Sequence, residues 1–178
     1  MHYQQWILLA VIAICGTAVI GSYVYGIFTH PGSGEKLWGN IQGTLRIINY
    51  ISMLLAVIGF FAFTYYIFFR INPDEARIAG YFNYWIFIVI YALILLPSAF
   101  WMPLTFNMMT SPSTSTWIAV RAVLFLVGLG SLCLLAALLT IQTRVQDVSY
   151  WLAVGGAAAF CLQTAVLDSF VWPAYFQV

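Results

Sequence analysis

Residues 117–141 read WIAVRAVLFLVGLGSLCLLAALLTI, an apolar run interrupted by one ionisable residue, Arg121. The hydrocarbon core of a bilayer is roughly 30 Å thick and is crossed by about 20 apolar helical residues, so this run is long enough to span it. Because lipid cannot satisfy free backbone N–H and C=O groups, such a run is predicted to be helical. Four further apolar runs cover about residues 6–28, 41–69, 79–106 and 148–170. The sequence therefore predicts an all-α integral membrane bundle of five transmembrane helices, forming a single domain over residues 1–178.

Composition supports the same class of protein. The chain is 63% hydrophobic and 6% charged over 178 residues, which leaves only short connectors between the runs and no room for a soluble module. A net charge of +1 gives no electrostatic reason to expect nucleic acid as a partner. The N-terminal stretch lacks a basic segment and a small-residue cleavage site, so the first run is expected to be a retained helix, not a signal peptide.

The basic residues between the runs predict an orientation. With five crossings, the second and fourth loops lie on the side of the N-terminus, and they carry Arg70, Arg77 and Arg144. The first and third loops carry only Lys36. The positive-inside rule then places the N-terminus inside and the C-terminus outside a membrane whose identity stays open.

Three charged residues near the ends of the runs form the first candidate site. Arg46, Arg121 and Asp168 are predicted at similar depth near the outer face, by their positions along their helices. Asp168 is expected to pair with Arg46 or Arg121 and to form the polar floor of a cavity, because an unpaired charge facing lipid is costly. The alternative is that all three reach the headgroups as end anchors.

Aromatic residues form the second candidate site. Trp101 lies between Pro97 and Pro103, and each proline removes a helical hydrogen bond and bends the backbone. A bend beside an aromatic side chain opens space between helices, where ligands of helical bundles bind. Two alternatives stay open: membership of an interfacial aromatic belt, and a bend that serves packing alone.

Small residues allow close helix contacts at two places. Residues 155–159 read GGAAA, and Gly128 and Gly130 lie in the preceding run. These faces predict either packing within the bundle or a homodimer.

Several chemistries find no support in the sequence. Lys36 lies outside every run, which excludes a retinal Schiff base, and His2 and His30 also lie outside, so no histidine pair can hold haem within the membrane. The three cysteines lie in apolar runs without C-x-x-C spacing, which disfavours a metal or redox site. No H-E-x-x-H or G-x-S-x-G motif is present. We predict no catalytic residue, no metal ligand and no particular cofactor, and whether the chain is an enzyme stays open.

One helix and one loop carry a family resemblance. The third run contains Tyr91-Ala92, Leu95, Trp101-Met102-Pro103 and Phe106, and the first loop contains Lys36-Leu37-Trp38. Together with the helix count and length, these residues resemble the tryptophan-rich sensory protein and translocator protein (TspO) family. Ser98 stands where that family usually has asparagine, and Gly39-Asn40 stand where it has paired prolines. The resemblance implies a pocket beneath a long first loop, lined by Trp38 and Trp101, that binds tetrapyrroles, sterols or other flat apolar ligands.

The sequence thus favours a multi-pass membrane protein that binds or translocates a hydrophobic small molecule (a tetrapyrrole, a sterol or an isoprenoid-like compound) in an outward-facing pocket. The expected partners are membrane lipid, that ligand and, through the Gly/Ala faces, a second copy of the chain. Two alternatives are a small accessory subunit of a larger membrane complex and a membrane enzyme acting on lipid. The predicted ligand-binding residues are Trp38, Arg46, Ser98, Trp101, Pro103, Arg121 and Asp168.

Overall fold

A computed structural model describes residues 2–144 and 147–176. Within these residues, five helices are long and apolar enough to cross a membrane, which confirms the predicted all-α bundle. A further one-turn helix, α2, lies in the first loop. The elements are α1 (Tyr3–Thr29), α2 (Gly34–Leu37), α3 (Gly43–Phe69), α4 (Trp85–Thr110), α5 (Thr114–Thr140), and a continuous C-terminal helix made of α6 (Val148–Cys161), a π-helical segment (Leu162–Val171) and α7 (Trp172–Tyr175).

The helices pack in a defined order around the bundle. α1 packs along α4, α4 along α5, α5 along the C-terminal helix, and the C-terminal helix along α3. We call the end that holds the loops after α1 and α4 the first-loop face, and the opposite end the N-terminal face. At the N-terminal face, Gln5 of α1 donates a hydrogen bond to the Phe68 carbonyl of α3, with an Nε2–O distance of 2.7 Å. This bond joins α1 and α3 there.

The start of α4 differs from the sequence prediction. The third run is predicted to begin near Ala79, whereas α4 begins at Trp85. Ile78 instead pairs in short bridges with Phe82 and Ile141, and Ala79 and Gly80 have φ angles of 51° and 80°. These left-handed angles are incompatible with a right-handed helix, so the apolar residues before Trp85 form a folded loop.

Two apolar clusters form the core. The larger one, the N-terminal cluster, occupies most of the bundle towards the N-terminal face, and four of its aromatic rings pack against one another: Phe60, Phe63, Tyr91 and Phe160. The smaller one, the first-loop cluster, has a buried centre made of Ile41, Met108, Val120, Leu124, Trp172 and Phe176. The core is therefore not continuous from one face of the bundle to the other.

Glycines allow the closest approaches between helices. A Cβ atom on Gly156 would lie 2.7 Å from the Cα atom of Gly59, so α3 and α6 touch backbone to backbone. Gly128 likewise lies against the π-helical segment, and Gly130 lies against Ile94 of α4. Gly155 faces open space. These three glycine contacts are packing within the bundle, and the homodimer stays a prediction.

Candidate functional site: a polar layer in the bundle

The π-helical segment gives the C-terminal helix an unusual polar face. A π-helix places residues five apart on one side, and Gln163 Nε2 donates to Asp168 Oδ1 at 2.8 Å. The next pair shows the same spacing, because Ser169 Oγ lies 2.7 Å from the Thr164 carbonyl. Ser169 Oγ also lies 2.9 Å from the Leu124 carbonyl of α5. The segment is therefore tied to α5, and it runs for 10 residues, well beyond the single turn usual for π-bulges.

Three polar atoms in the same half of the bundle are buried and lack a hydrogen-bond partner among the described residues. They are Ser52 Oγ, Trp101 Nε1 and Gln163 Oε1. Ser52 and Gln163 are each only 5% exposed. Leaving such a group unpaired costs about 1–3 kcal/mol. A fourth unpaired atom, Gln4 Oε1, lies near the N-terminal face and is separate from these three.

Helix geometry places Ser52 opposite Gln163. Both positions lie seven residues from the Gly59–Gly156 contact, on the first-loop side of it. Seven residues are about two helical turns, so each side chain returns to the face that carries the glycine. Because α3 also packs against the π-helical segment, these two buried polar residues face each other across the same helix pair.

Trp101 and Asp168 are linked through α1. The rings of Trp101 and Tyr23 lie 5.6 Å apart, and Asp168 is close enough to Tyr23 to interact with it electrostatically. Asp168 is partly accessible although its neighbours Gln163 and Ser169 are buried. We call Tyr23, Ser52, Trp101, Gln163 and Asp168 the polar layer.

A span centred in the bilayer would place the polar layer within the hydrocarbon region. A 28-residue span such as Val148–Tyr175 is about 42 Å long, so each end projects about 6 Å beyond a 30 Å core. Asp168 lies seven residues from the end of that span, which places it about 5 Å inside the hydrocarbon boundary. Trp101 and Ser52, each nine residues from a helix end, lie about 8 Å inside. An ionisable group at such a depth, facing the bundle, marks a functional site by default.

The arginine expected beside Asp168 is engaged elsewhere. Arg46 forms two hydrogen bonds of 2.8 Å with Glu35 in the first loop, and its guanidinium lies 5.1 Å from the Trp38 ring centre. Trp38 in turn packs edge-on against Tyr50. This fork geometry lowers the pKa of Glu35 through the hydrogen bonds from Arg46. Trp38 and Arg46 therefore hold the first loop against α3, while the hydrogen bond to Asp168 comes from Gln163.

The other three predicted residues contribute no unpaired buried polar atom to the layer. Arg121 and Pro103 are exposed on the outside of the bundle. Ser98 donates to the Ile94 carbonyl of its own helix at 2.7 Å. α4 runs through both Pro97 and Pro103 without ending. Of the seven predicted residues, the structure thus places Trp101 and Asp168 in one layer and Trp38 with Arg46 in the loop contact.

The sequence analysis did not predict Tyr23, Ser52 or Gln163 as site residues. A signal for Gln163 exists in the sequence. The polar pair Gln163-Thr164 is followed five positions later by a second polar pair, Asp168-Ser169. A spacing of five is typical of π-helical geometry and does not fit an α-helical face. No sequence signal identifies Tyr23, since tyrosine is frequent throughout the chain.

A cavity opens at the first-loop face, above the polar layer. Its volume is about 570 Å³, within the usual range for ligand pockets. Its lining includes polar loop residues such as Ser33 and Lys36, and apolar residues, namely Phe106 and Met109 of α4 with Phe176. None of the seven predicted site residues lines it.

The N-terminal face carries a separate ion pair. Asp147 caps α6 by accepting hydrogen bonds from Ser149 Oγ at 2.6 Å and from the Tyr150 N–H at 3.0 Å, and it pairs with Arg70. These contacts lower the pKa of Asp147 to about 2. The hydrogen bond from Ser149 contributes most, followed by the hydrogen bond from Tyr150 and the pairing with Arg70. This site joins the α3–α4 loop to the C-terminal helix and has no contact with the polar layer.

In the part of the chain that the structure describes, no three His, Cys, Asp or Glu side chains come together to hold a metal ion. Comparison with known proteins gives no relative: no protein-family model, curated protein or solved structure matches this chain. The resemblance to the TspO family stays a prediction that rests on the residues quoted for it.

Proposed function

We propose that this membrane protein binds an amphiphilic small molecule, with an apolar body and at least one hydrogen-bonding group, at the polar layer. The unpaired atoms define what the ligand offers. Trp101 Nε1 is a donor and needs an acceptor, whereas Gln163 Oε1 is an acceptor and needs a donor. Ser52 Oγ serves as either. The apolar clusters on both sides of the layer suit a ligand that is otherwise hydrophobic.

The observation that carries this proposal is the coincidence of three unpaired buried polar atoms with a membrane-embedded carboxyl group. Each unpaired atom is a cost of about 1–3 kcal/mol that a bound partner removes. A sterol hydroxyl, an isoprenoid alcohol or the pyrrole and carboxyl groups of a tetrapyrrole each offer suitable hydrogen bonds. The hydrophobic classes implied by the TspO resemblance are therefore the first to test, and translocation of the ligand goes beyond what these contacts support.

The first experiment is purification of the chain alone in mild detergent, followed by mass spectrometry of extracted small molecules. We expect one apolar compound in about stoichiometric amount. If nothing is retained, the protein is titrated with protoporphyrin, cholesterol and farnesol while its tryptophan fluorescence is recorded. A folded, stable protein that binds none of them contradicts the proposal. An empty protein that unfolds without a partner chain would instead favour the accessory-subunit alternative.

Two serine variants then test the site. Ser52→Ala removes an unpaired hydroxyl, so we expect unchanged or higher stability with ligand affinity lowered about three- to tenfold, the value of one hydrogen bond. Ser131→Ala is the matched control, because Ser131 is also buried but donates to the Gly128 carbonyl at 2.7 Å. The control should lose about 0.5–1.5 kcal/mol of stability and keep its ligand affinity. If Ser52→Ala is instead destabilised and binds the ligand as wild type does, Ser52 is not part of the binding site.

A further inference from the structure

The cavity at the first-loop face differs in chemistry from the polar layer. One wall is apolar, made by Phe106, Met109 and Phe176, and the ring of His30 lies flat on Phe106 with centroids 4.2 Å apart. His30 Nδ1 faces the Gly26 carbonyl at 3.2 Å, which fixes the ring in that position. The opposite side is polar loop, so the cavity has one hydrophobic and one hydrophilic wall.

The polar wall is positively charged. Lys36, the only lysine of the chain, lines the cavity and is exposed, and no acceptor for its ammonium group is found among the described residues. The neighbouring carboxylate, Glu35, is engaged by both guanidinium nitrogens of Arg46. The other acid in this half of the bundle, Asp168, accepts from Gln163 in the polar layer. Among the described residues, therefore, no acid of the surrounding loop neutralises the charge of Lys36.

We infer that this cavity binds the anionic headgroup of an amphiphile, with Lys36 contacting the phosphate or carboxylate and the wall of Phe106, Met109 and Phe176 contacting the first part of the apolar chain. A volume of about 570 Å³ is far larger than a free phosphate needs, and the aromatic wall would be unused by one. The cavity lies at the end of the membrane-spanning helices, where lipid headgroups are found. The inference does not depend on the polar layer, because the two sites share no residue.

The test is native mass spectrometry of the full chain from mixed micelles with equal amounts of phosphatidylglycerol and phosphatidylcholine of identical acyl chains. Wild type should retain phosphatidylglycerol in preference, and Lys36→Gln should reduce this preference about tenfold, as expected for a lost charge-assisted contact. Arg121→Gln is the matched control, since Arg121 is a second exposed cation of the same half that lies outside the cavity. It should bind like wild type.

Two further variants and a competing anion complete the test. Met109→Trp fills the cavity and should abolish retention of phosphatidylglycerol. Lys36→Arg keeps the positive charge and should retain phosphatidylglycerol as wild type does. Equal preference in wild type and Lys36→Gln, or full retention in Met109→Trp, overturns the inference. Displacement of the lipid by inorganic phosphate at similar concentration also overturns it, because it would show an anion site to which the apolar wall adds nothing. Ser52→Ala should leave this binding unchanged, which separates the site from the polar layer.

Discussion

The backbone contact between Gly59 and Gly156 provides a sharp test of the packing that positions the polar layer. A methyl group on Gly156 would lie 2.7 Å from Gly59 Cα and 3.0 Å from its carbonyl oxygen. Favourable carbon–carbon contact needs about 3.5–4.0 Å, so Gly156→Ala must separate α3 from α6 by about 1 Å. Overpacking of this kind costs about 1–3 kcal/mol.

A substitution at the adjacent residue, Gly155, serves as a control that separates this steric cost from the change in helix propensity. Gly155→Ala adds the same methyl group one residue away, where nothing lies within 4 Å. Both substitutions gain about 0.8–1.0 kcal/mol of helix propensity, so that gain cancels when the two variants are compared. We expect Gly156→Ala to be less stable than Gly155→Ala by about 1–3 kcal/mol, and Gly155→Ala to be slightly more stable than wild type.

The assay is reversible unfolding in mixed micelles with increasing sodium dodecyl sulfate, followed by tryptophan fluorescence and by circular dichroism. Gly59→Ala should act in the same direction, because its methyl group would clash with the Gly156 carbonyl oxygen. The double variant, Gly59→Ala with Gly156→Ala, should lose less than the sum, since helices that have already separated accommodate the second methyl group more easily. Equal stability of Gly155→Ala and Gly156→Ala would refute the backbone contact.

Two further predictions concern the loops. Because the pKa of Asp147 is lowered to about 2, its pairing stabilises the fold above the unfolded pKa near 3.9 and this contribution is lost as the pH falls towards 2. Asp147→Asn, which keeps a good helix cap, should abolish this loss of stability at low pH when stability is measured against pH. An unchanged profile would show that another group causes the loss. In the first loop, Arg46→Lys cannot reproduce the forked contact with Glu35, so amide hydrogen exchange in residues 33–40 should accelerate severalfold. Exchange as slow as in wild type would show that other contacts hold the loop.

The architecture was predictable from the sequence because the bilayer constrains it so strongly. Length and hydropathy alone identify the five spans. The start of α4 was missed in this way, because the aromatic residues Tyr81, Phe82 and Tyr84 extend the hydrophobic run past Gly80 and Asn83, which interrupt it. What ends the helical pattern there is a left-handed backbone at Ala79 and Gly80 and the pairing of Ile78 with Ile141, a contact between distant parts of the chain.

The candidate site was only partly predictable, for a physical reason that its residues illustrate. Position along a helix follows from the sequence, so Asp168 could be assigned to the region near the end of its span, and it lies seven residues from the end of Val148–Tyr175. Its partner depends on helix rotation, and the π-helical segment changes that rotation so that Gln163 shares its face. The pairing of Arg46 with Glu35 instead of Asp168 was beyond prediction, because Glu35 reaches Arg46 only through the fold of the first loop.

The polar layer, which lies between the two apolar clusters, lowers the stability of the folded protein. Each unpaired buried polar atom costs about 1–3 kcal/mol, which is not small beside the 5–15 kcal/mol that stabilises a typical domain. Replacing them with apolar groups of the same shape would remove that cost, so their presence is typical of a site that gives up stability for function. A ligand that pairs with them stabilises only the folded state, by an amount that rises with its concentration relative to its Kd. The empty protein is therefore expected to be the less stable form, and an increase in melting temperature with added ligand is the most direct sign that the layer is occupied.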